Sequence, residues 1–394
     1  MKVLESLRVL RAAPVAQQRE RGYLDTLREI LQQPETWAAT AAQLNDAGVR
    51  SGLRPALTPR PAQIVLTGSG SSIYAGECIT SDLQRSLGLP VRAIAAGTLL
   101  THWRSALPPG DGLLVSIARS GDSPESGAVV DRLLAEAPGW RHLLLTCNAA
   151  GRLATQYRDE SRVSVLVLDE RCNDRSLVMT SSFTNLVLAG SALGHAIGDA
   201  GWTAAVQGLA HGVQRMFDTQ ADALAVVAQG TFDSVVYLGS DGALGAAREA
   251  ALKMLEMTGG QVTTLAETFL GLRHGPMSSL DEHTLVVAFL SPDPTVRAYE
   301  HDLLRELTHK QLGQQRVLVG EDIAADLHGP HDVAVDLHGL QAADDALPLL
   351  ADVAVGQLLA FFRCLALGGL PDTPSRGVLT RVVEQFTLHA GDSV

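Results

Sequence analysis

Hydrophobic positions across residues 1–50 recur at helical spacing, with Leu4, Leu7 and Leu10 on one stripe and Leu24, Leu27, Ile30 and Leu31 on another. Pro55, Pro59 and Pro61 then break the pattern. Beyond them the rhythm changes to short apolar runs that end in Gly or Ser and lead into helical segments. These runs are Ile64–Thr67, Leu113–Ile117, His142–Thr146 and Val163–Leu168. Strands alternating with helices predict a parallel sheet with helices on both faces. The rhythm restarts near residue 233. IVLTGSGS at 64–71 parallels VVYLGSDG at 235–242, an offset of 171, and LLVSIARSGDS at 113–123 parallels LVVAFLSPDPT at 285–295, an offset of 172. HLLLTCN at 142–148 is echoed by QRVLVGED at 315–322. Nearly constant offsets with the same strand order indicate a duplicated α/β unit. The expected divisions are a helical leader over 1–60, a first unit over 61–215, a second over 216–372 and a tail over 373–394. Residues 183–230 are expected to be helical connection.

The 394 residues suit two or three domains of roughly 100–200 residues each and need no staple to build a core. Residues 351–370 are the most apolar long stretch, but Asp352, Gln357 and Arg363 interrupt it, so a buried helix is expected rather than a membrane span. Charges break every apolar stretch of the N-terminal MKVLESLRVLRAAPVAQQRERGY, unlike a signal peptide. Cys78, Cys147, Cys172 and Cys364 form no metal-like spacing and fit a reducing compartment, hence a cytoplasmic protein. The formal net charge of −12 argues against nucleic acid or an anionic membrane as partner. An anionic ligand therefore requires a local device.

Three loops supply candidates. Gly68-Ser69-Gly70-Ser71-Ser72 joins the first apolar run to a helix starting near Ile73, and free backbone N–H groups at a helix start attract phosphate. No GK[ST] follows, and Ile73 stands where a dinucleotide loop needs glycine. The second loop, Arg119-Ser120-Gly121-Asp122-Ser123, again follows a strand, with Pro124 and Glu125 suited to a first helical turn. The third, Met179-Thr180-Ser181-Ser182, precedes an apolar helix. Each alone reads equally as a helix N-cap. Together, at strand-to-helix junctions on one sheet edge, they indicate an anion site built from hydroxyls, N–H groups and helix ends. In the second unit Ser291-Pro292-Asp293-Pro294 replaces the second loop. Prolines remove donors and the aspartate repels phosphate, so this copy is expected to have lost the site.

Glu249, Lys253 and Glu256 share one face of the helix after Gly239-Ser240. Spacing alone fits a solvated stripe of salt bridges as well as a catalytic group. His274, before Gly275-Pro276, reads as a turn histidine or an acid–base group. The histidines of HGPHDVAVDLHG read as surface residues, and the chain offers no convincing metal-ligand set.

GSGSS, ARSGDSPES, MTSSFTN, REAALKMLEMTGG and LRHGP occur in this order. That set resembles the sugar isomerase (SIS) domain family, with two SIS domains in tandem. Nearly the full length, including the leader and the PDTPS…RVV tail, is similar to the AgaS group of aldose/ketose isomerases and amino-sugar-phosphate deaminases. It is also similar to the isomerase half of glucosamine-6-phosphate synthase, although Met1 is not followed by a cysteine nucleophile for a glutaminase. The resemblance implies two flavodoxin-like three-layer α/β/α domains. It implies hexose or hexosamine 6-phosphate as substrate, with no cofactor and no metal. Gly70, Ser71, Ser72, Arg119, Ser120 and Ser123 fall on its sugar-phosphate loops, and Thr180, Ser181 and Ser182 on the third. Ala118 stands where family members often carry a serine. Glu256 falls on the base that moves a proton between sugar C1 and C2, Lys253 on its companion, and His274 on the ring-opening histidine. That histidine often reaches in from a partner subunit, which implies a homodimer. The tail is expected to cap the site, with Arg381 and His389 as its polar contributors. The implied reaction is deamination of galactosamine 6-phosphate to tagatose 6-phosphate. Glucosamine 6-phosphate deamination or plain aldose/ketose isomerisation are the alternatives, and a non-catalytic sugar-phosphate sensor is the rival of another class.

Overall fold

The structure is a computed structural model that describes residues 6–195, 200–339, 346–383 and 386–389. The leader forms five helices: α1 (Leu7–Ala12), α2 (Val15–Glu20), α3 (Leu24–Leu31), α4 (Gln33–Asn45) and α5 (Ala47–Leu57). The apolar stripe of α3 faces inward, with Leu27 and Ile30 buried. Leu4 lies outside the described residues.

The first α/β unit follows as β1 (Ile64–Thr67), α6 (Ser71–Leu87), β2 (Val91–Ala93), α7 (Ala96–Ala106), β3 (Gly112–Ala118), α8 (Pro124–Glu136), β4 (Trp140–Thr146), α9 (Arg152–Thr155) and β5 (Val163–Val167). Helices α10 (Ser181–Ser191), α11 (Ala200–Thr219) and α12 (Ala221–Ala228) form the connection expected over 183–230. The second unit runs β6 (Ser234–Leu238), α13 (Gly242–Met257), β7 (Thr263–Glu267), α14 (Phe269–Leu272), β8 (Thr284–Phe289), α15 (Pro294–Lys310), β9 (Gln315–Gly320), β10 (Val333–Asp336) and α16 (Pro348–Ala366).

Both sheets have five strands and are wholly parallel, in the orders β2-β1-β3-β4-β5 and β10-β9-β8-β6-β7. Read in chain order within each unit, these are the same 2-1-3-4-5 arrangement, the doubly wound order that places a crevice beside the first strand. The duplication expected from the offsets is thus a repeated topology. The chain also repeats at the level of backbone angles. Gly70 (φ 57°, ψ −130°) and Asp241 (φ 51°, ψ −120°), 171 residues apart, precede α6 and α13 in the same conformation. Glycine reaches it freely, whereas Asp241 holds it under strain.

The two units share an interior in addition to apolar clusters of their own. One apolar cluster joins Leu66, Val115 and Leu143 of the first sheet to Trp37 of the leader, to α10, α13 and α16, and to Val287 and Phe289 of the second sheet. Helices α6 and α13 meet directly, so tightly that a Cβ at Gly245 would lie 2.7 Å from the Cys78 nitrogen. Arg248 of α13 reaches Glu77 of α6 at 2.7 Å. Helix α16 is the buried helix expected over 351–370, with 89% of its apolar window inside the protein. Two of its polar residues find partners there: Gln33 Nε2 donates to Gln357 Oε1 at 2.8 Å, and Arg363 donates to the carbonyls of Ala228 and Gly230.

Candidate active site

The loops after β1 and β3 open on one cavity of about 280 Å³. Ser69, Gly70, Ser71 and Ser72 form one wall, and Arg119, Ser120, Ser123 and Ser126 a second. The strand order is what brings them together, since β1 and β3 are adjacent and both loops leave at their C-terminal ends. The last turns of α13 supply Lys253 and Glu256 as a third wall, and residues 379–383 of the tail also line the cavity.

Glu249, Lys253 and Glu256 are not a solvated stripe. Glu249 and Lys253 are fully buried, while the Glu256 side chain keeps 21% of its surface exposed, toward the cavity it lines. Lys253 Nζ donates to Glu256 Oε2 and, at 3.2 Å, to Ser71 Oγ, and lies 3.5 Å from Glu249 Oε1. Burial pushes the Glu249 carboxyl from 4.5 to about 8, against the pull of Lys253 and with the repulsion of Glu256. Burial disfavours the Lys253 cation, but the two carboxylates outweigh it and hold its pKa above the ordinary value. Glu249 therefore holds its proton well above the usual carboxylate range, and the Lys253 cation is hydrogen-bonded to Glu256. The arrangement holds a carboxylate at a cavity wall beside a cation that stays charged, as proton transfer next to a developing oxyanion requires.

Arg119 is buried, and its guanidinium donates to the carbonyls of Ser176 (3.3 Å) and Leu177 (2.9 Å). Burial and the nearby Arg381 lower its pKa from the ordinary arginine value. Arg381 of the tail lines the cavity and donates to Asp174 O and Asn173 Oδ1. His389 is exposed and does not line it. Three cations from distant segments thus line the cavity against the single carboxylate of Glu256. The expected hydroxyls of Ser71, Ser72, Ser120 and Ser123 line the cavity as well, so basic groups that form no patch in sequence are added to them.

The third loop stands apart. Thr180, Ser181 and Ser182 are completely buried and do not line the cavity. Their donors are taken by Asp174, whose carboxylate accepts from the nitrogens of Thr180 (2.8 Å), Ser181 (3.1 Å) and Ser182 (2.9 Å) and from two of the hydroxyls. The start of α10 already holds an anion of the protein's own, so these residues brace the wall formed by Leu177 and Met179. Glu29 of the leader extends the brace, accepting from Arg175 N, Ser176 N and Ser176 Oγ. Burial and the Asp174 charge push its carboxyl up to about 7. His274 is exposed in the turn after α14 and lies outside this chain's own cavity. Sequence reasoning missed Asp174, Glu29 and Ser126. Asp174 sits seven residues before the first residue of the helix it caps, beyond the reach of a local capping pattern. Among the described residues no group of three or more His, Cys, Asp or Glu is placed to hold a metal ion.

No protein-family model matches the chain. A Streptomyces coelicolor protein of the AgaS group is 37% identical over 374 residues, 93% of this chain and 95% of that protein. The chain belongs to the AgaS family of SIS-domain sugar isomerases. The Escherichia coli D-galactosamine-6-phosphate deaminase AgaS is 32% identical over 372 residues, 92% of this chain and 95% of the relative. Among solved structures, the tagatose-6-phosphate ketose/aldose isomerase of Escherichia coli superposes on this AgaS-family chain with a TM-score of 0.85. That match has 30% identity and covers 96% of this chain and 99% of the other. The C-terminal domain of glucosamine-fructose-6-phosphate aminotransferase from Francisella tularensis shares the fold, with a TM-score of 0.76 at 17% identity.

Proposed function

We propose that this chain deaminates galactosamine 6-phosphate to tagatose 6-phosphate and ammonia, in the cytoplasm. The observation that carries the reading is the Lys253–Glu256 pair facing the hydroxyl and arginine loops across one cavity. The substrate phosphate docks on Ser71, Ser72, Arg119, Ser120 and Ser123, which fixes the sugar and contributes part of the roughly 7–11 kcal/mol available from orientation. In the open-chain aldose, Glu256 removes the proton from C2 and returns it to C1. The intermediate is an enolamine, and Lys253 places positive charge beside its oxygen. The product of this shift is a C2 imine. Water adds to the imine carbon and ammonia leaves, so the overall step is an isomerisation followed by hydrolysis.

The reading includes a first unit over 61–215 that binds phosphate and a second over 216–372 that moves the proton. It also includes a homodimer in which the partner subunit's His274 opens the ring. Two observations support the dimer: His274 is exposed away from its own chain's cavity, and the tail beside the cavity exposes Val378 (83%) and Val383 (47%). The test supplies galactosamine 6-phosphate and glucosamine 6-phosphate separately and measures ammonia and ketose together. Equal amounts of both, faster from the galacto epimer, are expected. Ketose from a non-amino aldose phosphate with no ammonia from either amine would replace deamination by plain isomerisation. Binding without turnover of any of them would leave a sensor.

A further inference from the structure

The duplication gives the cavity a counterpart. Glu77 and Arg248 are 171 residues apart and touch each other, as equivalent positions do beside a pseudo-twofold axis. Helices α6 and α13 therefore exchange roles across it. The first cavity combines the loops after β1 and β3 with the C-terminal turns of α13. A second cavity of about 400 Å³ combines the loops after β6 and β8 with the later turns of α6. At the same offset, Asp82 and Arg85 stand where Lys253 and Glu256 stand in the first cavity. They too are an ion pair at i,i+3 spacing, at 2.6 Å, with the charges exchanged.

The place of a phosphate is also filled. Glu300 is buried and bridges the two loops, accepting from Ser240 Oγ at 2.6 Å and from Ser291 N at 2.8 Å. Yet the cavity is not closed, and it contains an unsatisfied group. Asp352 of α16 is 3% exposed and lines it, and its Oδ1 has no hydrogen-bond partner among the described residues. A buried carboxyl without a donor is costly, and a donor supplied by a ligand removes that cost. Burial and the Glu300 charge push this carboxyl well above the ordinary aspartate range. Asp241 and Asp293 add negative charge at the same cavity, which Arg85 also lines, and among the described residues no three acidic groups gather as metal ligands.

We propose that this second cavity binds an unphosphorylated amino sugar, with the ligand's ammonium donating to Asp352. The carboxylates reject phosphate, Glu300 already occupies its place, and Ser81, Ser240 and Ser291 retain accepting capacity for sugar hydroxyls. The choice of a sugar rests on the reading of the first cavity as a sugar-phosphate site.

Isothermal titration of the full chain with galactosamine, with galactose as the amine-free control, tests it. Galactosamine is expected to bind the wild type and Glu256→Gln equally. Asp352→Asn is expected to bind it at least about tenfold more weakly, as is the wild type with galactose. Equal binding of galactose and galactosamine, binding lost in Glu256→Gln but kept in Asp352→Asn, or no binding to the wild type would each overturn the proposal. Should Asp352→Asn fail to fold, wild-type crystals soaked in galactosamine decide. An amine within hydrogen-bond distance of Asp352 supports the site, and an empty second cavity refutes it. Failure of the deaminase reading would show instead as no ammonia from galactosamine 6-phosphate, which these measurements do not use.

Discussion

The Glu249 carboxyl offers a direct measurement of how the buried charges at α13 are arranged. It is fully buried and its pKa is raised from 4.5 to about 8, chiefly by loss of water. Between those values the folded chain keeps a proton that the unfolded chain has released. Raising the pH therefore favours the unfolded state, with a limiting slope of about 1.4 kcal/mol per pH unit and a total on the order of 5 kcal/mol across the window. Glu249→Gln keeps the shape of the neutral acid and removes its titration. The two proteins are expected to differ by less than about 1 kcal/mol near pH 5. The variant should be the more stable by about 3 kcal/mol at pH 7, by more at pH 8, and by a constant margin above that. The assay is urea unfolding of both proteins from pH 5 to pH 9, reading only the difference, in which titrating groups that do not interact with Glu249 cancel. A difference that does not change with pH would refute the reasoning. So would a variant that is the less stable at pH 9, because Glu249 would then be ionised in the native state as a true partner of Lys253.

Glu256→Gln should lower turnover by about 10²–10⁴-fold while leaving binding of tagatose 6-phosphate within a fewfold of wild type, and retained turnover removes Glu256 from its role. Asp174→Asn replaces one acceptor oxygen by a donor facing Thr180, Ser181 and Ser182, and should cost about 2–4 kcal/mol in thermal unfolding. An unchanged midpoint would mean that the start of α10 finds other partners. Gly70→Ala places a Cβ at φ 57°, and should cost about 1–3 kcal/mol and raise KM for the sugar phosphate, measured by unfolding and steady-state kinetics. The variant should still fold, since Asp241 tolerates the same angles in the second copy.

Much of the architecture is legible in the chain because it rests on local chemistry. Alternating apolar runs and helical stripes specify βα units, and a 171-residue offset reports their duplication. Interruption of residues 351–370 by Asp352, Gln357 and Arg363 marks α16 as a core helix. The strands that escape notice are the short or exposed ones: β2 has three residues, and β7 is only partly buried, so neither carries a strong apolar run. The hydroxyl loops after β1 and β3 are legible for the same reason, since a helix start after a strand advertises its N–H groups locally.

What the residues could not decide by themselves is who meets whom. Spacing put Glu249, Lys253 and Glu256 on one face, but only the packing of α13 against α6 and α16 shows that this face is buried and ends in a cavity. The loop at Thr180–Ser182 carries the same small hydroxyls as its neighbours, and only the fold reveals that Asp174 has already taken its donors. The net charge of −12 describes the whole chain, whereas Arg119, Lys253 and Arg381, far apart in sequence, converge on one cavity beside the carboxylate of Glu256. Periodicity and turn chemistry act over a few residues and can be read one segment at a time. Burial and electrostatics depend on distances between segments, and those exist only once the chain has folded.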